Sequence, residues 1–279
     1  MAHQNVAVQP LSIMGVSVTP FASYQEAIDC VAAGIRERSQ KCAVAINPEK
    51  IMHATRDSVL RSALSGFEVG ICDGIGVAIA ARLLYGRRLR RCTGVDLFLQ
   101  LVRVAAAEGW GIFLYGSSPE SNEGARSALL RMYPTLRIAG TQNGYHTDDS
   151  SLVAAINESK AQLLFVALGS PKQEYWIARN RKALNVPFCM GVGGSFDVLS
   201  GKAKRAPRIF RRTGTEFLFR LALQPGRLVR QAVLPWRFSG CFSRKRWNWD
   251  LMKPGSWRGC SPIFRAWDSK LKPSAVRRL

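Results

Sequence analysis

The chain has 279 residues, 47% of them hydrophobic, and a formal net charge of +21. That length supports one substantial core with a smaller appendage, and no apolar run reaches the roughly 18 residues that a membrane-spanning helix needs. Seven cysteines, odd in number and with no Cys-x-x-Cys pair, argue against a disulfide framework or a zinc site and suit a reducing cytosol. The first ten residues are polar, so no secretion signal is expected there.

Through residue 200, short β-branched runs alternate with helical patterns. Strands are expected at 41–46, 67–72, 110–115, 136–140, 162–168 and 188–192. Helices are expected near 23–39, 49–64, 75–85, 94–108, 119–132, 149–159 and 171–183. The strands are apolar with little alternation, as strands covered on both sides are. The pattern predicts an α/β fold with a mostly parallel sheet and helices on both faces.

Several strand-to-helix turns carry helix-start signals. Asn47-Pro48-Glu49 reads as a cap, a proline at the first helical position and an acid in the first turn. Ser118-Pro119-Glu120 repeats that grammar, and Ser170-Pro171-Lys172-Gln173 reads as a capping box. Such helices aim free N–H groups at one rim of the sheet, where anionic ligands are favoured. At the same rim the run 67–72 stops at Asp73, followed by a Gly-Ile-Gly turn. A carboxylate there, beside glycines that let a ligand approach, stands where open α/β sheets place their chemistry. Asp73 reads equally as the cap of the helix that follows.

Beyond residue 200 the character changes. Residues 201–279 hold 20 Lys/Arg against 3 Asp/Glu, net +17, and five of the seven tryptophans, Trp236, Trp247, Trp249, Trp257 and Trp267. We therefore expect an α/β catalytic domain at 1–204 and a basic, Trp-rich appendage at 205–279, with helices near 215–223 and 227–234. Cations interleaved with aromatic rings suit an anionic membrane surface. The same mixture could grip single-stranded nucleic acid, which is the alternative reading of the chain.

The motifs Asn47-Pro48-Glu49, Asp73-Gly74-Ile75-Gly76, Arg91-Cys92-Thr93-Gly94-Val95-Asp96-Leu97 and Asn143-Gly144-Tyr145 occur in order. Leu168-Gly169-Ser170-Pro171-Lys172-Gln173-Glu174, Gly191-Val192-Gly193-Gly194-Ser195-Phe196-Asp197, Lys204-Arg205-Ala206-Pro207 and Glu216-Phe217-Leu218-Phe219-Arg220-Leu221 follow. Together they resemble the WecG/TagA/CpsF glycosyltransferases, glycosyltransferase family 26, over about residues 10–235. The resemblance implies a Rossmann-like domain and a bacterial, inverting, metal-independent transferase. Such an enzyme moves a sugar from a UDP-sugar to a polyprenyl-diphosphate-linked glycan on the inner face of the plasma membrane. It selects the base reading for Asp73. It also implies substrate-binding roles for Asn47, Arg91, Gln173, Arg220, Arg227 and Arg230, the last three in an appendage that closes over the site. Glu174 reads as structural.

Asn47 and Gln173 are also explained by capping, and Arg91 by a solvated cluster with Arg87, Arg88 and Arg90. No Asp-x-Asp occurs, and His3, His53 and His146 are too dispersed for a metal centre, so no metal and no cofactor is expected. Asp148-Asp149 reads as a loop. Many members of the family carry Thr where this chain has Ala45, so the expected donor is either of the N-acetylmannosamine type or, with that hydroxyl missing, a neutral hexose of the glucose type. No nucleic-acid partner is expected, and the sequence leaves association of protomers open.

Overall fold

The structure, a computed structural model, describes residues 9–207 and, beyond them, residues 209, 210, 216 and 219. The expected helices near 215–223 and 227–234, the tail tryptophans, and Arg220, Arg227 and Arg230 lie outside the described residues or only touch them.

The chain opens with an antiparallel hairpin, β1 (Leu11–Ile13) and β2 (Val16–Val18). Its two-residue turn is Met14-Gly15, with φ of 54° and 82°. Two positive φ values give the twist that a tight hairpin requires. The sequence reading missed this hairpin, because strands of three residues are too short to show a period. Helix α1 (Tyr24–Arg36) follows, capped by Ser23.

Six strands form one sheet in the order β4-β3-β8-β7-β5-β6, and every neighbouring pair is parallel. They are β3 (Lys41–Ile46), β4 (Val69–Cys72), β5 (Gly111–Gly116), β6 (Arg137–Gln142), β7 (Leu163–Ala167) and β8 (Phe188–Gly191). Each lies within a residue or two of its expected place, and β4, β5, β7 and β8 are buried along their whole length. The sheet edge at β4 is covered by the hairpin's exit. Thr19 N–H donates to Gly70 O at 2.7 Å, and Gly70 N–H donates to Thr19 Oγ1 at 3.1 Å. Gly70 is required by that approach, since a Cβ there would stand 2.4 Å from Ser17 O.

The helices are α2 (Pro48–Ala54), α3 (Ser58–Ser65), α4 (Ile75–Tyr85), α5 (Gly94–Glu108), α6 (Pro119–Met132), α7 (Asp149–Glu158), α8 (Lys172–Asn180) and α9 (Ser195–Leu199). The single helix expected over 49–64 is two. Asp57 accepts from Leu60 N–H at 2.9 Å and starts α3 afresh. Arg61 donates to Ala54 O and Thr55 O, satisfying carbonyls at the end of α2. The five-residue α9 was not expected, being too short to show a helical period. Asp148-Asp149 is not a loop: Asp148 caps α7, and Asp149 is its first residue.

Helices α1, α5, α6 and α9 bury one face of the sheet, while α2, α3 and α8 pack together with β7 and β8 on the other. Right-handed crossovers account for α5 and α6 lying opposite α2, α3 and α8, because the chain runs outward from β3 to β4, back across to β5, and inward again from β6. Phe98 of α5 is central to the first layer. It meets Phe165 edge-on at 4.6 Å and Phe196 at 6.1 Å.

Candidate active site

All six strands point the same way, so six turns share one rim. Asn47 follows β3, Asp73 follows β4 and Ser117 follows β5. Asn143, Leu168 and Val192 follow β6, β7 and β8. Every motif singled out in residues 45–197 falls on this rim or on the helix starts behind it.

Asp73 is fixed by its backbone, whose N–H donates to Ile46 O at 2.8 Å. The residue that opens α4 is Gly74, with φ 118°, so Asp73 is not the cap of the helix that follows. Instead its Oδ2 lies 3.4 Å from the N–H of Gly94, the first residue of α5. A carboxylate there meets the positive end of a fifteen-residue helix. Gly94 is tightly enclosed: a Cβ on it would stand 3.1 Å from Ala45 Cβ and 3.8 Å from Asp73 Oδ2. A Cβ on Gly74 would stand 3.5 Å from Pro48 and 4.0 Å from Asn47 Cβ. Asn47, Ala45, Asp73 and Gly94 therefore converge, although 47 and 94 are far apart in the chain.

The start of α5 is braced from several sides. Thr93 caps it, accepting from Asp96 N–H at 3.2 Å and donating its hydroxyl to Asp96 Oδ2 at 2.8 Å. The Tyr24 hydroxyl accepts from Thr93 N–H at 2.8 Å. Arg205 bonds the other Asp96 oxygen, and Arg91 bonds Glu216 Oε1 at 2.7 Å. Arg205 and Glu216, one residue from each of the two late motifs, are thus tied to the segment that positions Gly94. Arg91 is not the free surface arginine of a solvated cluster, since its side chain is 18% exposed.

A second constellation is buried. Asn47 Oδ1 accepts from Lys50 N–H at 2.8 Å, capping α2 as expected. The Lys50 ammonium donates to Glu174 Oε1 at 2.7 Å, with side-chain exposures of 5% and 0%. The same oxygen accepts from Gln173 Nε2 at 2.9 Å, and Gln173 Oε1 accepts from Gly193 N–H at 2.8 Å. The expected capping box at Ser170 is not formed. Helix α8 starts at Lys172 without a side-chain cap, Ser170 is exposed, and Gln173 turns inward. Gly191 leaves room for this, since a Cβ on it would stand 2.5 Å from Gln173 Nε2. Glu174 is wholly buried, and its Oε2 receives no hydrogen bond from the protein. Lys50 was missed by the sequence reading, although it stands three residues after Asn47.

On the far side, Ser117 donates its hydroxyl to Asp197 Oδ1 at 2.8 Å and accepts at its carbonyl from Gly144 N–H at 2.8 Å. The turns after β5, β6 and β8 are locked together in this way.

A family model for the glycosyl transferase WecG/TagA/CpsF family matches residues 11–250 of the chain. The chain belongs to that family. As a WecG/TagA/CpsF member it is a glycosyltransferase of cell-surface polysaccharide biosynthesis. The match extends beyond the limit near residue 235 read from the motifs. It encloses both constellations of this WecG/TagA/CpsF chain, together with Arg220, Arg227 and Arg230.

Titration narrows the chemistry at the rim. Burial, helped by the negative charge of Asp73, pushes the Cys72 thiol up to about 12. Burial likewise pushes Cys92 up to about 11, against the opposing pull of Arg90. Both thiols stay protonated at neutral pH and do not compete as nucleophiles. Among the described residues no group of three His, Cys, Asp or Glu side chains could hold a metal ion. Among the same residues no helix is long and apolar enough to cross a membrane. A carboxylate at Asp73 can take a proton, and the helix N-termini around it favour an anion.

Proposed function

We propose that the protein is an inverting, metal-independent transferase that moves a sugar from a UDP-sugar to a lipid-diphosphate-linked glycan. In this reading an acceptor hydroxyl attacks the anomeric carbon as the bond to the nucleotide diphosphate breaks. Asp73 takes the hydroxyl's proton, and the bonding electrons leave with UDP. The observation that carries the reading is the placement of the Asp73 carboxylate. It stands at the end of a buried strand beside Gly94 N–H and does not cap its own helix.

Asn47 borders the same space, and Gln173 keeps one amide hydrogen beyond those used on Glu174, enough to meet a donor hydroxyl. Arg91, Arg220, Arg227 and Arg230 supply cationic forks for the departing diphosphate, a task suited to guanidinium geometry. Residues 205–279 form the appendage of this reading, closing the site and holding the protein to an anionic cytoplasmic membrane face. Ala45, packed against Gly94, leaves no hydroxyl at that wall, which favours a neutral hexose donor.

The test is Asp73→Asn assayed with a lipid-linked acceptor. The expected result is a fall in turnover of roughly 10²-fold or more, with UDP-sugar binding retained. Near-normal turnover in the variant rejects the role. The same assay with UDP-glucose and UDP-N-acetylmannosamine decides the donor, and equal use of both would remove the argument from Ala45.

A further inference from the structure

Helix α4 is apolar on sides that ought to differ. Val77, Ala80 and Ala81 face inward and are buried. Ile75, Ile79 and Leu83 face outward and are 44%, 51% and 68% exposed. Their spacing of four residues places them in one stripe about 12 Å long. Helices with a single apolar stripe turn it toward a core, so a second apolar stripe on the outer side calls for another occupant.

The surroundings indicate which occupant. Arg82 is exposed on the flank of the stripe, and Arg87, Arg88 and Arg90 are exposed directly after the helix. No acidic residue occurs between Asp73 and Asp96. An apolar ridge bordered by cations, on a segment that carries no acid of its own, matches an acyl-chain boundary beneath anionic headgroups. It suits a second copy of this chain poorly, because pairing the same face across a two-fold axis would bring arginines together.

We propose that α4 and the arginines that follow it are a membrane-docking surface of the α/β domain, separate from the basic tail, seated on anionic lipid. Ile79 and Leu83 enter the headgroup–acyl boundary, and Arg82, Arg87, Arg88 and Arg90 meet phosphate oxygens. The placement has a direct consequence for the rim, since Ile75 stands two residues from Asp73. Docking through α4 sets that carboxylate at the lipid surface, where the headgroup end of a lipid-linked acceptor lies. The docking itself is independent of the transferase reading; its use for the acceptor rests on that reading.

The test compares full-length proteins, so the tail contributes equally to each. Binding is measured by co-sedimentation with vesicles of phosphatidylglycerol and phosphatidylcholine, and with phosphatidylcholine alone. The double variant Ile79→Ser with Leu83→Ser should bind the anionic vesicles about tenfold or more weakly. Arg87→Ser with Arg88→Ser should bind more weakly and with a flatter salt dependence. Amides of residues 75–85 in the unaltered chain should gain protection from hydrogen exchange when anionic vesicles are added. All four positions are exposed, so unchanged thermal midpoints check that the variants fold.

Vesicle binding and exchange unaltered in the Ile79/Leu83 variant would overturn the proposal. So would a lipid-free dimer that this variant dissolves while vesicle binding persists, because the stripe would then be a contact between copies. Asp73→Asn should bind vesicles like the unaltered chain. Loss of transfer in that variant, or its absence in the unaltered chain, bears on the chemistry and leaves the docking result to stand alone.

Discussion

The Lys50–Glu174 pair offers the sharpest quantitative test of how the rim is held. Both side chains are almost wholly out of solvent, and their contact is 2.7 Å. Glu174→Ala leaves an ammonium group in a site that water does not reach, with no opposite charge. Removing one partner of such a pair costs about 3–5 kcal/mol. That is a large share of the roughly 5–15 kcal/mol by which a domain is stable. The measurement is urea unfolding followed by circular dichroism, read as a lower midpoint at unchanged slope. Replacing both residues together, Lys50→Met with Glu174→Leu, should recover most of the loss, because no lone charge is then left buried. The single variant should also weaken donor binding, since Gln173 Nε2 loses its acceptor. A loss below about 1 kcal/mol in Glu174→Ala would refute the reasoning, because it would mean that water reaches Lys50.

Two further outcomes follow from local geometry. Gly116 has φ 114°, and a Cβ on it would stand 2.6 Å from the backbone carbonyl carbon of Ala167, so Gly116→Ala should destabilise by about 2 kcal/mol or more in thermal unfolding. Burial pushes Tyr24 up to about 12, and burial together with the bond to Asp57 does the same for Tyr175, against an ordinary value of 10.0. Both folded values lie above the unfolded one, so this contribution is fully present below pH 10 and is lost as pH rises toward 12. Stability measured across that range should fall, and Tyr24→Phe or Tyr175→Phe should each flatten the decline.

What the sequence disclosed and what it hid have physical causes. The inner strands were readable because strands buried on both faces are unbroken apolar runs, as 163–167 and 111–116 show, whereas the edge strand β6 has no fully buried residue. Asn47 was readable as a cap because capping is decided by neighbours within one helical turn. Local grammar failed at Ser170 and Gln173. The serine–glutamine spacing fits a capping box, but a glutamine given room by Gly191 and partners in Gly193 and Glu174 does better inside. The Lys50–Glu174 contact joins residues 124 positions apart, and no periodicity or spacing reports such a pair. The alternatives for Asp73 could not be separated by sequence either. Which helix a carboxylate serves depends on where α5 begins in space, and that is set by Tyr24, Arg205 and Asp96.

The strand order also says something about how the chain is assembled. Strand β8, at 188–191, is the last of the six to be synthesised, yet it lies between β3 and β7 in the middle of the sheet. Until it emerges from the ribosome, the pair β3–β4 and the trio β7-β5-β6 have no backbone ladder between them. Synthesis therefore yields two half-built layers with open flanks, exposed to mispairing with other chains, and a single late segment closes the gap. A nascent polypeptide halted before that segment has emerged should be captured by chaperones more strongly than one halted after 188–191 has cleared the ribosome.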